Sequence, residues 1–178
     1  MAPMCPVGQS ETMPDDICVD TVIEDERWGK AGLEALAGSA VNAALVWHGL
    51  REAEVVVMGC DDARIAALNA DFRGKARATN VLSWPSVDHP AHEPGARPDL
   101  PDQAELGDIA IAWETCWAEA EAQGKPFDHH VSHLLVHAVL HLLGYDHEND
   151  PNAETMEAAE RSILQTLKIP DPYQEEMR

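Results

Sequence analysis

The chain has 178 residues, 45% of them hydrophobic, and a formal net charge of −20 at pH 7. That length and apolar content suffice for one compact domain with a sizeable core, and no apolar run approaches the length of about 20 residues that a membrane span needs. The charge argues against the broadly basic footprint of most nucleic-acid binders, so any grip on nucleic acid requires a local positive patch.

Residues 1–15 carry proline and acidic side chains with little periodicity and lack the basic start and apolar centre of a secretory signal. They are expected to form a disordered N-terminal segment, with residues 16–178 as a single domain. Ile17–Ile23 is dominated by β-branched residues and predicts a strand. Residues 32–48 place small and apolar side chains at helical spacing, and Val55–Met58 predicts a short buried strand. Asp61 and Asp62 suit the start of a helix running to about Phe72. Thr79–Ser83, ending at Pro85, predicts another strand.

Repeated prolines between Pro85 and Pro101 predict a loop, with His89 and His92 as surface residues. Asp108–Ala112 predicts a fourth strand, followed by an alanine- and glutamate-rich helix to about Gln123. Gly124-Lys125-Pro126 breaks that helix, and a histidine-rich apolar helix starts near Asp128. A last amphipathic helix covers about 153–167, after Asp150-Pro151. The cysteines at 5, 18, 60 and 116 form no Cys-x-x-Cys pair and read as reduced thiols of a cytosolic protein. This order of elements predicts an α+β fold: a small mixed β-sheet covered by helices, with a central helix carrying the histidines.

His137 and His141 lie four residues apart in an apolar helical stretch, so their imidazoles point the same way about one turn apart. Gly144 can adopt the left-handed conformation that ends a helix and return the chain so that His147 meets them. Three imidazoles converging with a fourth position open describe a catalytic zinc site, one ion per chain; structural sites close with four protein ligands. Zinc is preferred over nickel, copper or cobalt, which three imidazoles also suit. His133 is about 12 Å from His141 along the helix, too far to share one metal. His129, His130 and His133 are read as solvated residues near the helix start, with His133 a candidate neighbour of the ligands. A His-Glu-x-x-His protease carries a glutamate after its first histidine; here Ala138 stands there. Asp146 either orients an imidazole or serves as a turn-forming aspartate. The segment Arg64, Arg73, Lys75, Arg77 is the most basic in the chain, either an anion-binding patch or a solvated turn.

The run His137-x-x-x-His141-Leu142-x-Gly144-Tyr145-Asp146-His147 resembles the signature of the YbeY family of bacterial metal-dependent endoribonucleases, the rRNA maturation factors. Leu68-Asn69 through Lys75, Thr79 through Pro85, Leu106-Gly107-Asp108-Ile109, and Met156-Glu157 through Tyr173 extend the likeness over residues 17 to 173. Two positions depart from the family pattern: Ala138 where glycine is common, and Trp84 where phenylalanine is frequent. The resemblance implies a zinc-dependent, single-strand-specific endoribonuclease in the cytoplasm. It would act in maturation of small-subunit ribosomal RNA and in ribosome quality control, with ribosome-associated proteins as partners. It implies that Arg73 faces the metal and grips the scissile phosphate, a task suited to a planar, always-charged guanidinium. Lys75, Arg77, Asn80 and Ser83 are expected to contact RNA, although Ser83 could equally be a packed strand residue. Two other readings stand beside this one: a non-catalytic zinc-containing ribosome-assembly factor, and a metal-dependent hydrolase of another substrate class.

Overall fold

A computed structural model of the chain describes residues 16–74, 77–86, 89 and 92–173, with positions 72 and 73 described by their backbone alone. The expected N-terminal segment 1–15 lies outside the described residues. In chain order the elements are β1 (Asp16–Ile23), α1 (Glu26–Lys30), α2 (Leu33–Trp47), β2 (Glu52–Cys60), α3 (Asp62–Arg73), β3 (Val81–Pro85), β4 (Glu105–Ala112), α4 (Trp113–Gln123), α5 (Phe127–Leu142) and α6 (Asp150–Thr166).

The strands form one sheet in the order β1-β2-β4-β3. β1 and β2 run parallel, as do β2 and β4, while β3 is antiparallel to β4. The sheet is therefore mixed and small, and β3 is an edge strand. β2 extends beyond the apolar run at its centre because alternate residues, Ala53, Val55 and Val57, are buried while those between them are not. That period of two is what a half-covered strand produces.

α5 is the central helix. Val131, Leu135, Val136, Val139, Leu140 and Leu142 are all fully buried, packed against α2, the sheet and α6. Its apolar character on most faces follows from that surround. The start of the helix is anchored by aromatic packing: Phe127 lies 5.7 Å from Trp28 and 4.9 Å from Trp113, ring centre to ring centre. Trp28 in turn donates its indole N–H to the Cys60 carbonyl at 2.9 Å, tying the cluster to the end of β2.

Gly107 sets how closely the other end of α5 approaches the sheet. Its φ is 143°, and a Cβ there would stand 2.2 Å from the Trp84 carbonyl oxygen and 2.9 Å from the Leu142 side chain. Only glycine lets β3, β4 and the last turn of α5 meet at this spacing.

Three features differ from the sequence expectation. α1 was not anticipated; five residues are too few to display a helical period, though Asp25 caps it by accepting from the Arg27 amide. α6 begins at Asp150, because Pro151 in the first turn costs nothing and Asn149 caps the helix through the Asn152 amide. Cys18, half-buried on edge strand β1, is disulfide-bonded rather than reduced. Cys60 and Cys116 are free thiols, both buried away from any such reaction.

Candidate metal centre

α5 ends as its sequence predicts. The Tyr145 amide donates to the Leu140 carbonyl at 3.0 Å and the Gly144 amide to His141 at 3.1 Å, with Gly144 at φ 105°. This pair of reversed bonds is the left-handed glycine stop, and it swings the chain back over the helix end. A Cβ on Gly144 would also strike the His89 ring at 2.9 Å. His89 is thus not a plain surface residue: it is half-buried and bonds the Leu142 carbonyl at 2.7 Å, satisfying an orphan acceptor at the helix end.

The reversal brings His147 to the other two histidines. Ring centres are 4.6 Å apart for His137 and His141, 5.2 Å for His141 and His147, and 5.7 Å for His137 and His147. One ring nitrogen from each lies within 4.8 Å of the others. Nitrogens at the corners of a tetrahedral zinc site stand about 3.4 Å apart, given bonds of about 2.0–2.1 Å. The His137 and His141 Nε2 atoms are 3.1 Å apart.

The hydrogen bonds behind these rings test whether a cation fits. His137 Nδ1 is 2.5 Å from Glu160 Oε2, and His141 Nδ1 is 3.1 Å from the Tyr145 carbonyl. Both partners are acceptors, so each Nδ1 carries the hydrogen, and in the neutral rings both Nε2 atoms present lone pairs. Two lone pairs facing each other at this distance repel unless a proton or a metal ion lies between them. Burial, reinforced by the neighbouring His137 and His147, takes the His141 pKa down to about 4, so this ring is neutral at physiological pH. The donor set fits a divalent metal.

Glu160 on α6 is fully buried. Burial alone would raise its pKa; hydrogen bonds from His133 and His137 outweigh that and bring it to about 2. Its Oε1 accepts from His133 Nε2 at 3.2 Å and from the Tyr173 hydroxyl.

The histidines open into a cleft of about 810 Å³ whose opposite wall is β3. Arg77, Asn80 and Ser83 all line it. Arg77 is exposed, Ser83 is buried in the wall, and Asn80 is held from behind: its amide donates to the Glu119 carboxylate at 3.1 and 3.3 Å. Lys75 lies outside the described residues, as does the side chain of Arg73, whose backbone closes α3 next to the left-handed Gly74. Arg64 pairs with Glu24 at 3.2 Å. Asp146 serves its turn, with Oδ1 accepting from the Glu148 amide at 3.1 Å and from the Asn152 amide group at 2.8 Å.

His130 and His133 are not solvated as expected. His130 is 4% exposed and bonds Glu119 at 2.8 Å, and His133 is half-buried against Glu160. A central helix has neighbours on these faces too, which a single-helix reading omits. Glu160 and Tyr173 are the residues that sequence reasoning passed over. The signal was present for Glu160: it interrupts the apolar stripe Met156, Ala159, Ile163, Leu164 of an amphipathic helix, where a solvated glutamate has no place.

Residues 20–168 match a family model described as Endoribonuclease YbeY. The Endoribonuclease YbeY of Paracoccus denitrificans is 65% identical over 157 residues, covering 88% of this chain and 90% of that protein. That of Dinoroseobacter shibae is 52% identical over 174 residues, covering 92% and 96%. Among solved structures, the solution structure of TM1509 from Thermotoga maritima superposes with a TM-score of 0.52 at 21% identity, covering 84% of this chain and 91% of that one. That last likeness speaks for the fold.

Proposed function

The chain belongs to the YbeY endoribonuclease family, and from that premise we propose that it is a zinc-dependent endoribonuclease specific for single-stranded RNA. The reading extends to maturation of small-subunit ribosomal RNA and ribosome quality control in the cytoplasm. The observation that supports the metal dependence is the convergence of one ring nitrogen each from His137, His141 and His147 within 4.8 Å, with the Nδ1 atoms of His137 and His141 bonded to oxygen acceptors behind them.

His137, His141 and His147 hold the ion. A divalent metal bound by these three residues would supply Lewis acidity for phosphodiester cleavage. Arg73 neutralises the charge that builds on the phosphate as the bond breaks. Arg77 guides the phosphodiester backbone from the cleft lining, Lys75 adds positive charge for the same backbone, and Ser83 hydrogen-bonds substrate from the β3 wall. Asn80 has its amide committed to Glu119, so it meets RNA through the shape it gives the rim.

The assembly-factor reading requires a fourth protein ligand, whereas the described residues offer a group of three. A net charge of −20 repels free RNA at long range, which favours delivery of the substrate by ribosome-associated proteins. The test pairs one labelled RNA in single-stranded form with the same RNA annealed to its complement. Cleavage of the first and sparing of the second is expected; equal cleavage of both would overturn the specificity.

A further inference from the structure

We propose that Glu160 is a positioning residue of the metal centre, held in register by Tyr173 of the C-terminal segment. The inference rests on the reading of His137 as a metal ligand. It begins from an anomaly of burial: Glu160 is fully enclosed, and its partners among the described residues are two imidazoles and a phenol rather than lysine or arginine. A fold gains little from such a group, because an apolar side chain of similar size packs there without desolvating a charge. A ligand-bearing imidazole does gain. Its other ring nitrogen needs an acceptor that fixes tautomer and orientation, and a carboxylate raises the basicity of the coordinating nitrogen.

The geometry assigns each carboxylate oxygen a separate task. Oε2 takes the His137 Nδ1 hydrogen at 2.5 Å, leaving Nε2 to face His141 and the cleft. Oε1 accepts from the Tyr173 hydroxyl and from His133 Nε2. With Oε1 occupied by two donors, the carboxylate cannot rotate without breaking both contacts.

Tyr173 is brought there by a fastened segment. Asp171 accepts the Tyr173 amide at 2.8 Å and pairs with Arg161 at 3.3 Å, while Lys125 reaches the Pro172 carbonyl at 3.5 Å. The stretch after α6 thereby becomes part of the metal centre, and Tyr173 also lines the cleft. Glutamine at 160 keeps the volume but adds an amide hydrogen pair that competes with the donors around it. Phenylalanine at 173 removes the hydroxyl, with its bond to Glu160 and its 3.4 Å contact to His133 Nε2, and keeps the ring.

The test measures zinc affinity by chelator competition for the full chain and for its Glu160→Gln and Tyr173→Phe variants. The melting temperature of each metal-free protein and the visible spectrum of each cobalt-loaded one complete the set. We expect Glu160→Gln to weaken zinc by about 10–100-fold and Tyr173→Phe by a few-fold. Both should alter the cobalt spectrum, which reports the ligand field, and the metal-free melting temperature of Tyr173→Phe should hold. Unchanged zinc affinity in Glu160→Gln, with the unmodified chain binding zinc, would overturn the positioning role and leave the metal reading intact. A fall in the metal-free stability of Tyr173→Phe that matches its fall in affinity would make the contact a structural one and overturn the proposal as well. If Glu160→Gln does not fold, Tyr173→Phe decides: unchanged affinity and spectrum overturn the proposal. Absence of zinc binding by the unmodified chain would remove the metal reading and this inference together.

Discussion

The Nε2 atoms of His137 and His141 face each other at 3.1 Å while each ring's Nδ1 hydrogen is committed to an oxygen acceptor behind it. The pair is preorganised: neither ring can turn to relieve the approach without losing its own hydrogen bond. His141→Ala removes one of three donors and should abolish zinc binding. Saturating zinc should raise the melting temperature of the unmodified protein, since a ligand at 100 times its Kd adds about 2.7 kcal/mol of stability. The same zinc should leave the melting temperature of His141→Ala where it was. Calorimetry of the two proteins with and without zinc checks this.

Acid should weaken the metal-free protein in a defined window. The His141 pKa lies at about 4, below the ordinary 6.5, through burial first and the adjacent His137 and His147 second. The unfolded chain therefore binds more protons between those values, and its contribution to stability is full above pH 6.5 and lost as pH falls toward 4. The loss from this group is on the order of 3 kcal/mol. Glu160, brought to about 2 by its histidine hydrogen bonds against the opposing effect of burial, adds a further loss as pH falls from 4.5 toward 2. Urea unfolding across pH 7 to 4 measures the first step, and a flat profile would contradict the buried neutral state of His141.

Gly144→Ala should be costly twice. A side chain at φ 105° is strained, and its Cβ would meet the His89 ring at 2.9 Å. We expect a loss of about 1–3 kcal/mol together with weakened zinc binding, because the reversal that carries His147 is disturbed. Thermal melting and zinc titration of this variant would separate the two effects.

Charge at the cleft should divide from metal. Arg73→Glu is expected to abolish RNA cleavage while zinc stays bound, because the guanidinium acts on phosphate and not on the ion. Arg77→Ala should weaken RNA binding for all sequences alike and lower the salt slope by about one unit. Zinc content and filter binding at several salt concentrations test both; equal zinc loss in Arg73→Glu and His141→Ala would refute the division.

What could be read from the sequence was local. The spacing of His137 and His141, the stop at Gly144 and the return of His147 are all decided within eleven residues, and the structure carries each of them. The strands were legible from short local signals: β-branched dominance in β1, the apolar run Val55–Met58 in β2 and the stop at Pro85 in β3. Glu160 was not, since its contact with His137 spans 23 positions and depends on how α6 crosses α5. For the same reason His130 and His133 were taken as solvated when other helices cover them. The basic segment divides in space. Arg64 and Arg77 are near in sequence, yet one pairs with Glu24 and the other lines the cleft.

The central claim is a metal-dependent nuclease, and one measurement addresses it directly: cleavage of a labelled single-stranded RNA by the purified protein, before chelation, after chelation and after zinc is restored. The account predicts cleavage, its loss with the chelator, and its recovery with zinc. Cleavage that persists unchanged in protein stripped of metal would contradict it.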